Sequence, residues 1–281
     1  MITGNKTNTV YTSELLHTDD RFANASQTLT SLLEKHGVAH KQIQATKDIW
    51  CRDYMPIQTS KEELVQFRYE PSYLKDDLHL QSDPRMICEE NNLSPRFSEI
   101  NFDGGNVVNW ADKAIVTDRV FEENPTYTSR TKLTSDIEEL LGAEVIVIPQ
   151  IKSDMTGHAD GLVRFVDRST ILGNDRNQEY KYWSSGIAKV LKEYGLDYID
   201  IPFFEHKDKD HKENAIGCYV NFLEVGNLMI IPVFEVKGNR DDYVIDLFKQ
   251  IYPDRVIETI NYNEVGLHGG LLNCSTWTIR E

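Results

Sequence analysis

The chain has few cysteines. Its 281 residues hold four, Cys51, Cys88, Cys218 and Cys274, with no CxxC pair and no zinc-type spacing, which argues against a disulfide framework or a structural metal. Long apolar runs are missing as well: none approaches the ~18 residues needed to span a bilayer. The opening MITGNKTNTVYTSELL has neither a basic nor an apolar leader region, so a cytoplasmic location and no membrane partner are expected. Cationic charge is scarce. With 30 Lys and Arg against 45 Asp and Glu, the formal charge is -15, which argues against a nucleic-acid surface and suits a small cationic ligand better. There is no phosphate loop and no cluster of metal ligands, so no cofactor is expected.

What is present is a recurring order of elements. Apolar alternation broken by turn residues marks hairpins at 106–118, 162–174 and 219–234. Each precedes a helix pattern, at 129–143, 178–195 and 239–253, and then a short β-rich run, at 144–149, 197–202 and 255–260. Leu133, Ile137, Leu140 and Leu141 show the helical spacing, with Gly142 placed to stop it. A fourth copy fits 55–70, a weak helix at 83–92, and 96–102. The fifth closes only across the termini, from strands 275–280 and 8–13, a helix at 19–37 and a strand at 39–45. A unit of this length raises the possibility of a propeller or array; an α+β domain with chance regularity is the competing explanation.

The chemically loaded residues fall between the units. In turn come IWCRDYMP (49–56), FDGGNVV (102–108), MTGHADGLVRF (155–165), the charged stretch 203–222, and GLHGGLLNC (266–274). Five equivalent junctions around a closed ring would point at one centre, bringing Asp53, Asp103, His158, Asp160 and Cys274 into one pocket. The glycine pairs at 104–105 and 269–270 fit such a centre, because glycine permits positive φ and close backbone approach.

The segments WCRDYMP, FDGGN, TGHADG, YVNF and HGGLLNC, in that order and spacing, resemble the agmatine deiminase and bacterial-type peptidylarginine deiminase family of the guanidino-modifying superfamily. The resemblance runs from about residue 49 to the C-terminus. It implies an α+β fold, a five-bladed ββαβ pentein propeller with pseudo-fivefold symmetry, closed by pairing of N- and C-terminal strands and forming a single domain over 1–281. By the same resemblance Cys274 is the nucleophile, His158 the general acid/base, and Asp53 and Asp160 the carboxylates that hold a guanidinium. Asp103 stands where that family usually carries Glu in an EGG motif, and Asn273 where it usually shows His before the cysteine.

The residue types suit that chemistry. A guanidinium is a planar, permanently charged fork of N–H donors, which two carboxylates can bind and orient. Its carbon is a poor electrophile, so a thiolate and close positioning are both required. The implied reaction is hydrolysis to a ureido product and ammonia through a covalent amidino-thioether, with no metal or organic cofactor. An amidinotransferase would use the same intermediate, and a catalytically silent guanidine-binding protein would keep the pocket alone. A thiol protease is more distant.

Several residues keep two readings. Trp50 is a flat wall for a guanidinium or core. Asp53 next to Arg52 is a ligand to substrate, with Arg52 lining the site, or a local ion pair. Asn221 is a polar wall or a strand residue facing solvent, and His158 with Asp160 could be a loop pair or metal ligands. Cys51 reads as structural, and Cys88 and Cys218 as buried. The run 206–214 is a solvated loop or a gate. Arg164 and Arg176 are candidate partners for a substrate carboxylate. A homodimer is a possible assembly.

Overall fold

Five three-stranded sheets, each with its own helix, make up the computed structural model, which describes all 281 residues. Every sheet has the same build. The middle strand pairs antiparallel with the strand before it and parallel with the strand after it, as Thr170–Asn174 does with Val163–Phe165 and Asp197–Ile201. A parallel neighbour cannot be reached by a tight turn, so a helix must carry the chain back across the sheet. The helices in those crossovers are Ala23–Lys35, Pro84–Glu90, Arg130–Leu141, Lys181–Tyr194 and Asp241–Ile251.

The unit split across the termini is present. Trp277–Ile279 pairs antiparallel with Thr9–Ser13, with Thr9 opposite Ile279 and Tyr11 opposite Trp277, and Thr9–Ser13 pairs parallel with Ala39–Ile43. The first and last strands of the chain therefore share one sheet.

Local chemistry explains the boundaries. Helix Arg130–Leu141 buries Leu133, Ile137 and Leu141 on one face and ends at Gly142, whose φ of 62° is left-handed. Trp183, Ile187 and Leu191 do the same for helix Lys181–Tyr194, each fully buried side chain contributing about 1.5–3 kcal/mol of transfer free energy. Asp83 caps the Pro84 helix by accepting from Arg85 and Met86 N–H.

The expected segments are trimmed at their ends in the structure, and three of them start well inside their expected bounds. Residues 178–180 are not helical, because Gln178 N–H closes a turn on the Asp175 carbonyl at 2.9 Å. The helix expected from 19 begins at Ala23, after a separate turn at Asp20–Phe22 in which Asp19 accepts from Arg21 N–H. Residues 219–222 lie outside the hairpin, whose strands are Leu223–Val225 and Leu228–Val233. Asn221 is thus a turn residue, not a strand residue.

Candidate active site

The short helix Cys51–Tyr54, the turn Gly104–Asn106, the loop 155–162, the turn at Asn221 and the segment before Trp277 come together, tied by backbone hydrogen bonds. Gly105 N–H donates to Asp53 Oδ1 at 3.0 Å, and Asp160 N–H donates to Gly105 O at 3.1 Å. Asn273 and Cys274 N–H both donate to Asn221 Oδ1, at 3.0 and 3.3 Å. Arg52 N–H donates to Cys274 O at 3.1 Å. All five junctions are joined in this way.

The glycine pairs work mostly by close approach. A Cβ on Gly105 would stand 2.5 Å from Asp53 Oδ1 and 2.6 Å from His158 Nδ1, and one on Gly104 would stand 2.0 Å from Arg52 O. On Gly270 it would meet the Trp50 ring at 2.5 Å. Only Gly269 of the four has positive φ, at 102°.

His158 lies between two carboxylates, with Nε2 2.8 Å from Asp103 Oδ2 and Nδ1 3.5 Å from Asp53 Oδ1. Asp160 Oδ2 accepts from Asn273 Nδ2 at 2.7 Å and lies 3.6 Å from Cys274 Sγ. Asn221 Nδ2 donates to the same sulfur at 3.2 Å. The structure therefore brings together Asp53, Asp103, His158, Asp160, Asn221 and Cys274, and adds Asn273 as the link between Asp160 and the sulfur's own backbone. Asp103 reaches His158 with its shorter side chain.

Electrostatics follows from this packing. Burial disfavours charge on His158, but Asp53, the hydrogen bond it donates to Asp103, and Asp160 together outweigh it and raise its pKa to about 10. The ring is an imidazolium at neutral pH, with Nε2–H donating to Asp103. Burial pushes the Asp53 carboxyl up against the pull of His158. Burial, then Asp160 and Asp53, hold the Cys274 thiol well above its ordinary range, so the resting group is a thiol. A cation bound among these carboxylates would lower it.

Other predicted residues are placed differently. Arg52 makes no ion pair with the carboxylates; its Nε donates to Asn273 O at 3.2 Å. Its neighbour Arg164 donates to Phe222 O at 2.9 Å and lies over the Phe222 ring, 4.4 Å from its centroid. Both arginines line one cavity, which none of the six grouped residues lines. Arg176 is engaged by Asp200 in a two-pronged pair at 2.9 and 2.7 Å. Trp50 is half-buried, packs on the largest apolar cluster and lies against Gly270. Cys51 is buried with its sulfur 3.3 Å from Ser275 O, and Cys88 is buried, whereas Cys218 is partly exposed.

The charged stretch 206–214 is folded on itself. Asp208 accepts from Asp210 and His211 N–H, and Asn214 Nδ2 donates to the His206 and His211 carbonyls. Glu213 O lies 3.2 Å from where a Gly269 Cβ would be, so the loop rests on the turn that leads to Cys274. Tyr73 gave no sequence signal, yet its hydroxyl donates to Asp103 Oδ2 at 3.2 Å.

Comparison with known proteins bears on the fold and the family. The chain overlays on an agmatine deiminase of C. jejuni with substrate bound, at TM-score 0.78 and 17% identity over 100% of this chain and 96% of that one. An agmatine deiminase of Enterococcus faecalis gives TM-score 0.76 at 15% identity, over 100% and 95%. At these identities the likeness shows a shared pentein fold. In sequence, a Mycoplasma capricolum protein named "Putative agmatine deiminase" is 22% identical over 223 residues, 68% of this chain. The match spans 61% of that relative's length. The model of the Porphyromonas-type peptidyl-arginine deiminase family matches residues 6–279, and the chain belongs to that family.

Proposed function

We propose that the protein is a cysteine-dependent deiminase, acting on a small cationic guanidine and releasing a ureido product and ammonia. The observation that carries this reading is the grouping of Cys274 Sγ, Asp160, Asp53, Asp103 and an imidazolium at His158 in one hydrogen-bonded cluster. Asp103 and Asp160, with Asp53 as a third carboxyl that burial pushes up to about 8, leave room beside one imidazolium for a cationic ligand, and a guanidinium satisfies carboxylate lone pairs in pairs. Family membership supports the reaction class, and the net charge of -15 suits a cationic substrate.

In this proposal, binding of the guanidinium supplies the positive charge that lets Cys274 lose its proton to solvent. The thiolate forms an S–C bond to the guanidinium carbon, giving a tetrahedral adduct. His158 protonates the departing nitrogen, the C–N bond breaks, and ammonia leaves a cationic amidino-thioether. Neutral His158 then takes a proton from water as the oxygen attacks the same carbon. The C–S bond breaks, the thiolate returns, and the product sheds a proton to become the ureide. Asp53 and Asp160 orient the substrate, Asp103 holds the imidazole, and Asn221 N–H steadies the sulfur.

The test is ammonia release from agmatine, arginine, N-methylated arginines, short guanidino acids and an arginine peptide, with wild type beside Cys274→Ala. Release without added amine that falls by at least ~10⁴-fold in the variant is expected. Release undiminished in Cys274→Ala, or no release from any member, overturns the proposal.

A further inference from the structure

One cluster of charges is not used by the chemistry above. Arg52, Arg164 and Glu224 line a cavity of about 70 Å³, together with Gly4, Asn109 and Asn273. It lies behind the site, since Arg52, Gly104 and Asn273 form part of its wall while their chain neighbours Asp53, Gly105 and Cys274 belong to the thiol and carboxylate cluster.

The charges in that cavity do not balance. Each guanidinium carries five N–H donors. Arg52 donates through Nε to Asn273 O at 3.2 Å, and Arg164 through Nη1 to Phe222 O at 2.9 Å. The remaining donors of both have no partner among the protein's hydrogen bonds. Glu224 is the one acid on the wall, and it is committed to Arg255. Gly4 folds over it so closely that a Cβ would stand 2.4 Å from Glu224 Oε2. Burial, and after it the charge of Arg164, work against the cation at Arg52, with Cys51, Asp160 and Cys274 acting the other way. Two part-buried cations with spare donors thus share one wall acid, whose short contact goes to Arg255, and the cavity between them can take a further counter-charge.

We infer that this cavity is a binding site for a small monovalent inorganic anion of chloride size, held between the guanidiniums of Arg52 and Arg164. Its volume admits one such ion and a few waters. The ion would also steady the turn that carries the nucleophile, because Arg52 N–H donates to Cys274 O at 3.1 Å and its Nε to Asn273 O.

Bromide, which scatters anomalously, is the probe. Crystals of the full chain grown in gluconate and soaked in sodium bromide should show an anomalous peak within hydrogen-bond reach of both guanidiniums. In Arg164→Gln the peak should vanish. In solution, replacing gluconate by chloride at constant ionic strength should raise the melting temperature of the wild type saturably, by about 3 °C, and leave Arg164→Gln unmoved. Water alone in the soaked wild-type cavity overturns the inference, and that result does not depend on whether the variant folds. A peak that survives in Arg164→Gln overturns the two-arginine site, and equal melting in the two salts counts against it. None of these readouts uses turnover, so the inference stands or falls separately from the proposed reaction.

Discussion

Two groups of charges sit back to back across a wall made in part by Arg52, Gly104 and Asn273. On one side three carboxylates, Asp53, Asp103 and Asp160, surround an imidazolium and a thiol. On the other, two arginines share a cavity with an acid already taken by Arg255. The first side carries surplus negative charge and suits a cation, the second surplus positive charge and suits an anion. The chain neighbours Arg52 and Asp53 serve opposite sides, while Asn273 lines the cavity and also donates to Asp160 Oδ2 at 2.7 Å, so the turn of the backbone at each junction does the sorting. Glycine makes the wall thin enough for this arrangement.

Thickening the wall should therefore have the largest effect. In Gly105→Ala the new Cβ would have to displace Asp53 Oδ1 and His158 Nδ1, which it would otherwise meet at 2.5 and 2.6 Å. Overpacking of a buried site costs about 1–3 kcal/mol, and a shift of these two side chains should lower kcat/KM by at least ~100-fold. Gly142→Ala is the control. Nothing lies within 4 Å of its Cβ position and its φ is 62°, so it should cost about 1 kcal/mol of stability with turnover unchanged. Calorimetry and kinetics on the pair separate wall thickness from glycine loss in general; equal turnover losses would refute the thin-wall account.

Next comes the negative side itself. Asp160 is, after burial, the leading cause of the high pKa of the Cys274 thiol. Asp160→Asn should let the thiol ionise at lower pH and speed its alkylation by iodoacetamide by roughly 3–10-fold at pH 8, while turnover falls because the guanidinium loses a partner. A variant that slowed both would show that Asp160 only positions the sulfur.

The same electrostatics sets the sign of the pH dependence. His158 keeps its proton up to about pH 10, so an acid role for it fails above that point. The thiol needs help to ionise, and a bound cation supplies it. The rising limb of kcat should thus lie about one unit below that of kcat/KM, as read from full pH profiles with the best substrate. Coincident limbs would mean that substrate charge does not assist ionisation.

Much of this was legible in the sequence, for identifiable reasons. The five units follow from alternation, helical spacing and turn residues, signals carried by many residues at once, and even the pairing of Thr9–Ser13 with Trp277–Ile279 follows from needing a partner for an unfinished unit. The grouping of Asp53, Asp103, His158, Asp160 and Cys274 followed from equivalent junctions. Side-chain direction was not legible: Arg52 and Asp53 are adjacent, yet only the path of a four-residue helix decides which faces the carboxylate cluster. Tyr73 escaped because it lies in an irregular stretch with no repeating pattern, and Arg164 faces a cavity whose other walls come from residues 2–4, 107–110 and 224, too scattered to be seen together.

Tyr73 gives the subtlest test. Its hydroxyl and His158 Nε2 both approach Asp103 Oδ2, at 3.2 and 2.8 Å, so the phenol competes with the imidazolium for one acceptor while fixing where that oxygen points. Removing only the hydroxyl in Tyr73→Phe keeps the ring, whose centroid is 6.1 Å from that of His158, and costs one hydrogen bond to a carboxylate, worth about 1.5–3 kcal/mol. With that donor gone, Asp103 has His158 as its remaining side-chain partner and holds the imidazolium more tightly. The falling limb of kcat/KM should then move up by about half a unit, and kcat should drop by about 3–10-fold. A purely structural tyrosine would lower kcat and leave the limb in place, whereas a limb moving downward would mean that the hydroxyl strengthens the hold of Asp103 on His158.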